Sequence, residues 1–323
     1  MAEFLSAGRR LMLIADVGGT HIRFAMAVGG RPENIKEYTC STFRGIVPAA
    51  EYYFADIGHR TDRALFAVAG PVNQQIVTLT NLAWTIDCKA VAKALALQSV
   101  ALTNDFSAIA LSLPHLSNSD WRTIRSSPSS GISGSSLAVI GPGTGLGVSG
   151  LIPDGMGGWQ MIAGEGGHVT LAARTEVERD VIQKIDTVFD HVSAERLLSG
   201  TGLSLIYGAL SGLEGDGLLA NAATPERVGS MARSGNDPTA IKATRIFAEM
   251  LGTVASDLVL TIGAWSGLFL AGGMVQHLGP AFDEAAFYER FTAKGRFSNA
   301  LRDVPCRVIT AKQPGLIGLA ATA

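Results

Sequence analysis

The sequence predicts an α/β protein of two domains, on three observations: buried-strand runs interleave with helical patterns, a glycine-turn hairpin occurs twice, and the chain is 323 residues long. The first hairpin is a strand over 11–15, the turn Asp16-Val17-Gly18-Gly19-Thr20 and a second strand over 21–28. The second is a strand over 137–140, the turn Gly141-Pro142-Gly143-Thr144-Gly145 and a strand over 146–151. Two hairpins of one design imply a duplicated architecture with one glycine turn in each domain.

Between the hairpins the pattern predicts a helix over 46–57, then a buried strand over 64–69 closed by Gly70-Pro71. Asp87 is a natural N-cap for a helix reaching 97, and a strand over 99–103 delivers Asn104-Asp105 at its carboxyl end. Ser, Gly and Pro gather over 117–136, around Ser126-Ser127-Pro128-Ser129-Ser130-Gly131, which reads as a surface connection into the second domain. The second half is more helical, with helices over 174–188, 192–198 and 203–210. A long helix opens at Asp237-Pro238, an acidic cap followed by a first-turn proline. Along it Phe247, Met250, Leu251, Val254, Leu258 and Ile262 recur at three- and four-residue steps as one apolar stripe. A helix over 283–292, a strand over 307–310 and a short helix over 315–321 finish the chain.

Composition removes several classes of function. Lys and Arg number 26 against 28 Asp and Glu, so the net charge is −2 and there is no basic stripe for a nucleic-acid backbone. Glycine supplies 38 residues, well above the average of about 7%, consistent with many tight turns. Cys40, Cys88 and Cys306 are widely spaced, without a CxxC or a Cys/His cluster; they read as small core residues in a reducing, cytoplasmic setting. The pair Arg9-Arg10 precedes an apolar run that Asp16 stops after five residues, too short for a secretory signal. Residues 258–275 carry no charge, but Gly263, Gly267, Gly272 and Gly273 punctuate them. They read as a helix end, a turn and a strand over 267–270, and no membrane association is expected.

The turn Asp16-Val17-Gly18-Gly19-Thr20 suits a polyphosphate: glycines let backbone N–H groups converge on anionic oxygens, Thr20 adds a hydroxyl, and Asp16 can hold magnesium through water. An ordinary hairpin turn is the alternative. The second turn, Gly143-Thr144-Gly145-Leu146-Gly147, repeats the logic without a carboxylate. There is no P-loop motif, and the GxGxxG match at 145–150 lies within a strand and opens no helix, so it is not a dinucleotide fingerprint. Asp105, just beyond a strand's carboxyl end, is placed to accept a hydroxyl proton; capping a helix that begins at Phe106 is the competing reading. Glu165 and His168 are separated by two glycines that disfavour a helical metal site, and on a loop they suit a polyhydroxylated ligand. Glu195 is either a further ligand or a solvent-facing helix residue paired with Arg196.

In this order the motifs resemble the bacterial glucokinase family, ATP-dependent hexose kinases of the sugar kinase, actin and heat-shock chaperone ATPase superfamily. The resemblance rests on Ala15 to Thr20 with Arg23, on Thr103-Asn104-Asp105-Phe106, and on Gly143 to Gly147. It continues through Gly164-Glu165-Gly166-Gly167-His168, His191 to Arg196, Leu270-Ala271-Gly272-Gly273 and Pro314-Gly315-Leu316. It implies two domains of duplicated ribonuclease-H-like, actin-like ATPase architecture around a central cleft, 1–116 with 306–323 and 117–305. It implies transfer of the ATP γ-phosphate to the 6-hydroxyl of glucose, the entry step of glycolysis, with Asp105 as general base. Asn104, Glu165, His168 and Glu195 would hold the other sugar hydroxyls. Ala15, Asp16, Val17, Gly18, Gly19, Thr20 and Arg23, with Gly143, Thr144 and Gly145, would grip the phosphates. Asp16 would lie near Mg2+, and Ala271, Gly272 and Gly273 would line the adenosine side. A homodimer is also implied.

The chain departs from the family pattern at His21, where Asn is usual, at Ala163, where Pro is usual, and at Thr170, where an acidic residue is common. None of these is a proposed ligand. Kinase activity on mannose, fructose or glucosamine is the near alternative, since few hydroxyl contacts separate these sugars. A silent sugar sensor or an actin-like assembly ATPase is the alternative of another class. The ten residues before the first strand leave no room for a DNA-binding head, and an assembly protein has no need of Glu165 and His168.

Overall fold

The structure, a computed structural model, describes residues 11–70, 72, 75–79, 82–125 and 131–323; Arg9, Arg10, Pro71 and the segment Ser126-Ser127-Pro128-Ser129-Ser130 lie outside them. The chain divides into two compact units. One comprises Met1–Asp120, Met161–Ala163 and Thr310–Ala323, the other Trp121–Gln160 and Gly164–Ile309. The strands are β1 (Met12–Val17), β2 (His21–Val28), β3 (Arg31–Thr39), β4 (Arg63–Val68), β5 (Ile76–Thr78), β6 (Thr85–Asp87), β7 (Ser99–Asn104), β8 (Trp121–Arg125), β9 (Leu137–Pro142), β10 (Leu146–Pro153), β11 (Trp159–Ala163), β12 (Gly267–Leu270) and β13 (Cys306–Ile309).

The first unit is built on a sheet of order β3-β2-β1-β4-β7, antiparallel through the opening hairpin and parallel from β1 to β4 to β7. Strand periodicity sends alternate side chains of β1 to opposite faces. Leu13, Ala15 and Val17 pack with Ala49, Ala50, Tyr53 and Phe54 of the helix Ile46–Ile57 and with Val91 and Leu95 of the helix Cys88–Leu95. Met12 and Ile14 pack on the other face with Ala108 of the helix Asp105–Ser112 and with Leu316, Leu319 and Ala320 of the helix Pro314–Ala321. The chain's last helix thus completes the layer over its first strand. Gly318 makes this packing possible, because a Cβ there would overlap the Ala108 carbonyl oxygen.

The second sheet repeats the plan: β10 is antiparallel to β9, β9 is followed by parallel β12 and β13, and β8 closes one edge while β11 lies beyond β10. The second unit's long helix is Pro238–Ile262, capped by Asp237, whose carboxylate accepts the Ala240 N–H at 2.9 Å, and ended by left-handed Gly263. Phe247, Met250, Leu251 and Val254 of the apolar stripe are buried, while Leu258 and Ile262 are partly so. A buried charge set joins three helices. Arg290, on Glu284–Thr292, meets Glu178, on Glu176–Asp186, at 2.7 Å and Glu249 of the long helix at 3.4 Å. The uncharged stretch 258–275 becomes the end of that helix, a turn and β12, and among the described residues no helix is long and apolar enough to cross a membrane.

Two elements differ from the sequence expectation. The stretch 117–136 is not all connection: Trp121–Arg125 forms β8, which pairs antiparallel with β13. The Arg307 guanidinium of β13 lies over the Trp121 ring at 4.5 Å and the Phe269 ring at 5.3 Å, a cation–π sandwich that a five-residue strand with two arginines does not advertise. The chain passes between the units at 120/121, 160/161, 163/164 and 309/310. Finally β3, over Arg31–Thr39, is an exposed edge strand whose charged sequence lacks the alternation that would reveal it.

Gly318→Ala should destabilise the protein by about 1–3 kcal/mol through overpacking against Ala108, although alanine alone favours helix by about 1 kcal/mol. A lowered urea midpoint checks this.

Candidate active site

In the first unit the candidate residues lie where parallel strands end. The register aligns Val17 with Val68 and Val68 with Asn104, so the tips of β1 and β7 lie two strand spacings, roughly 10 Å, apart on one edge of the sheet. Asp16 follows Met12 and Ile14 on the face covered by the helix Pro314–Ala321, at a position where the alternation calls for an apolar residue. Its carboxylate approaches the site of a Gly315 Cβ, in that helix's first turn, where the helix dipole favours negative charge. Its cross-strand partner is Arg23, whose guanidinium is 3.5 Å from Asp16 and 2.6 Å from Glu37. Burial pushes the Asp16 carboxyl above its ordinary range, and Arg23 opposes that shift. The turn that follows is a hairpin turn closed by the Gly18 N–H on the His21 carbonyl at 3.0 Å, with Gly19 and Thr20 exposed.

At the tip of β7 the N-cap is Asn104 rather than Asp105. The Asn104 Oδ1 accepts the Ser107 N–H at 3.1 Å and its Nδ2 donates to the Gly70 carbonyl at 3.1 Å. Asn104 is therefore tied to backbone at both ends of its amide, and it fixes the start of a helix whose first residue is Asp105. Asp105 Oδ1 accepts the Phe106 N–H at 2.8 Å, a carboxylate held at a helix N-terminus.

The second unit gathers its candidates more tightly. The Gly143 N–H bonds the Gly145 carbonyl at 2.7 Å, which closes the turn, and the Gly200 N–H, at the start of the helix Gly200–Leu210, bonds the Gly143 carbonyl at 2.9 Å. The Ala271 N–H donates to the Ile140 carbonyl at 2.9 Å, and a Cβ on Gly272 would overlap the Pro142 carbonyl, so Ala271-Gly272-Gly273 lies against the base of the same hairpin. Glu165 and His168 bracket a short 3₁₀ turn closed by the His168 N–H on the Glu165 carbonyl at 2.9 Å, and both are exposed. From there residues 169–171 pair with 192–194 through the Leu171-to-Val192 and Ala194-to-Val169 bonds, which brings Glu195 alongside. Thr170, the departure from the family pattern, shares a 2.9 Å hydrogen bond with the His191 ring.

Glu195 is not a solvent-facing helix residue. Its Oε2 accepts the Leu146 N–H at 2.9 Å and its Oε1 lies 4.0 Å from His168 Nδ1. Arg196, the partner the sequence offered, instead lies over the Phe189 ring at 3.8 Å. Gly167 backs against the Leu146 carbonyl so closely that a Cβ would overlap it. The turn at 143–146, the turn at 165–168 and Glu195 thus form one constellation. Sequence reading missed the Leu146 N–H and the N-terminus at Gly200; the Ser199-Gly200 step was a readable cap signal for the latter, since Ser199 accepts the Gly202 N–H at 3.1 Å.

A model of the glucokinase family matches residues 13–323. The chain is 43% identical over 312 residues to a glucokinase from Nitrobacter hamburgensis, with 96% of each chain covered. It is 40% identical over 315 residues to a glucokinase from Paramagnetospirillum magneticum, covering 96% of this chain and 97% of that one. Among solved structures, a glucokinase from an Antarctic psychrotroph aligns at a TM-score of 0.85 and 30% identity, over 97% of this chain and 98% of the other. A ROK family glucokinase from Streptomyces griseus, in complex with glucose and AMPPNP, aligns at a TM-score of 0.62 and 20% identity over 97% of this chain and 99% of the other; it shares the fold. The repeated sheet topology and these neighbours agree on the actin-like ATPase fold.

A carboxylate whose pKa is raised by folding stabilises the folded state below its unfolded value and withdraws that stability as pH rises through the raised one. Asp16→Asn should therefore melt at or above the parent's temperature at pH 7, and the difference should vanish below about pH 4, where both forms are neutral. Thermal melts across that range check it.

Proposed function

The chain belongs to the glucokinase family and is a kinase acting on glucose, and we propose that it transfers the γ-phosphate of ATP to the sugar's 6-hydroxyl with Asp105 as general base. Asp105 takes the hydroxyl proton as that oxygen attacks the γ-phosphorus, the bond from phosphorus to the bridging oxygen breaks, and ADP leaves with the electron pair. The reaction needs positioning and charge neutralisation more than covalent help from the protein. The Gly18 and Gly143 N–H groups close their turns, and the backbone N–H groups of Gly19-Thr20 and Thr144-Gly145 supply donors for phosphate oxygens. Arg23 adds a cation, and Ala271-Gly272-Gly273 offers side-chain-free backbone for the adenosine. Glu165, His168 and Glu195 are hydrogen-bonding partners for sugar hydroxyls, and Asn104 acts chiefly by holding Asp105 in place.

Asp16 fits a hydrated magnesium ion. It is a carboxylate kept in a position suited to an apolar residue, where burial disfavours its charge and the neighbouring Arg23 offsets part of that effect. Bound there, Mg2+ would neutralise charge on the phosphates. The observation that supports the kinase reading is the constellation of the second unit, in which the Gly143–Leu146 turn and the Glu165–His168 turn both meet Glu195. Three free, buried thiols support a cytoplasmic setting. The homodimer belongs to the same proposal, and sedimentation equilibrium reads it as twice the 33.7 kDa chain mass.

An assay of ADP release over a panel of hexoses should show glucose as the preferred acceptor; a faster mannose, fructose or glucosamine would move the substrate and keep the reaction class. Asp105→Asn should lower kcat by about 10²- to 10⁴-fold with glucose binding retained by calorimetry. Near-parental turnover in that variant removes Asp105 as the base.

A further inference from the structure

Glu195 reaches two turns with one carboxylate: Oε2 accepts the Leu146 N–H at the end of the Gly143–Gly145 turn at 2.9 Å, and Oε1 faces His168 at 4.0 Å. The carboxylate occupies the space in front of Gly145, where a Cβ would overlap Oε2. Gly145 does not adopt a positive φ, so it is the carboxylate and not a left-handed backbone that calls for glycine here. A bond from a backbone N–H to a carboxylate is among the stronger hydrogen bonds in a protein, and Leu146 is buried.

We propose that Glu195, besides holding a sugar hydroxyl, is a positioning residue for the phosphate turn, so that glucose and nucleotide affinities are coupled through this carboxylate. The inference rests on the kinase reading above. A sugar hydroxyl donating to Oε1 orders the side chain and steadies Oε2 on Leu146; a turn already shaped by its phosphate holds Oε2 and presents Oε1. Linkage makes the coupling reciprocal.

The test is calorimetric titration with glucose alone and with AMPPNP alone, on the parent and on Gly145→Ala, Glu195→Ala and Glu195→Gln. Gly145→Ala, a change in the phosphate turn, should weaken glucose binding about tenfold with no nucleotide present, because the new methyl evicts the carboxylate. Glu195→Ala should weaken AMPPNP binding by a similar factor with no sugar present. Glu195→Gln, whose amide oxygen still accepts the Leu146 N–H, should keep AMPPNP affinity within about twofold of the parent while losing glucose affinity. A carboxylate that merely sits near the phosphates repels them, so its removal would leave AMPPNP binding unchanged or tighter. That result, or parental glucose affinity in Gly145→Ala, overturns the inference and leaves the kinase reading standing. A loss of AMPPNP affinity in Glu195→Gln equal to that in Glu195→Ala also overturns it, since the acceptor oxygen would then be irrelevant. A parent protein that binds neither ligand overturns the kinase reading and this inference together.

Discussion

The close approach of a carboxylate to bare backbone organises the second unit. Glu195 must come within hydrogen-bond distance of the Leu146 N–H, and it can do so only where Gly145 presents no side chain. The same requirement recurs on the other side of the hairpin, where Gly167 backs onto the Leu146 carbonyl, and at its base, where Gly272 backs onto Pro142. Glycine is abundant in this chain for tight turns and also because three segments distant in sequence must reach the main chain of one hairpin. Each would be kept away by a single methyl group.

The first unit meets a different constraint. Its sheet is covered on both faces, so β1 carries apolar residues in alternation until Asp16 breaks the pattern at the strand's end. There a half-buried carboxylate sits beside one arginine and a helix N-terminus, and the surroundings raise its pKa although the arginine opposes them. The charge of Asp105 sits at a helix N-terminus prepared by Asn104, and parallel pairing of β1, β4 and β7 places it on the same sheet edge as Asp16. The helix that covers this edge comes from the end of the chain, and Gly318 lets it seat on Ala108.

Much of this was legible in the residues. The two hairpins, the capped and striped helix at Pro238–Ile262 and the reading of 258–275 as helix, turn and strand followed from periodicity and punctuation, because those signals are local. Strands β3 and β8 were not legible: one is an exposed charged edge, and the other is held by a cation–π sandwich with residues far along the chain. The division of labour between Asn104 and Asp105 was open, since either residue caps a helix well. The Asn104 Oδ1 bond to the Ser107 N–H makes Asn104 the cap, and the bond from its Nδ2 to the Gly70 carbonyl, a contact across 34 residues, holds it in that role.

The sequence by itself determined the α/β class, most element types and the chemical identity of the candidate groups, because strand and helix patterns and turn chemistry act over a few residues. Tertiary structure alone decided that Glu195 serves two turns, that Asp16 lies under the last helix and that 306–309 joins the second sheet. Those facts depend on pairings between segments tens to hundreds of residues apart, where the outcome is set by how whole sheets and helices pack and not by any local preference.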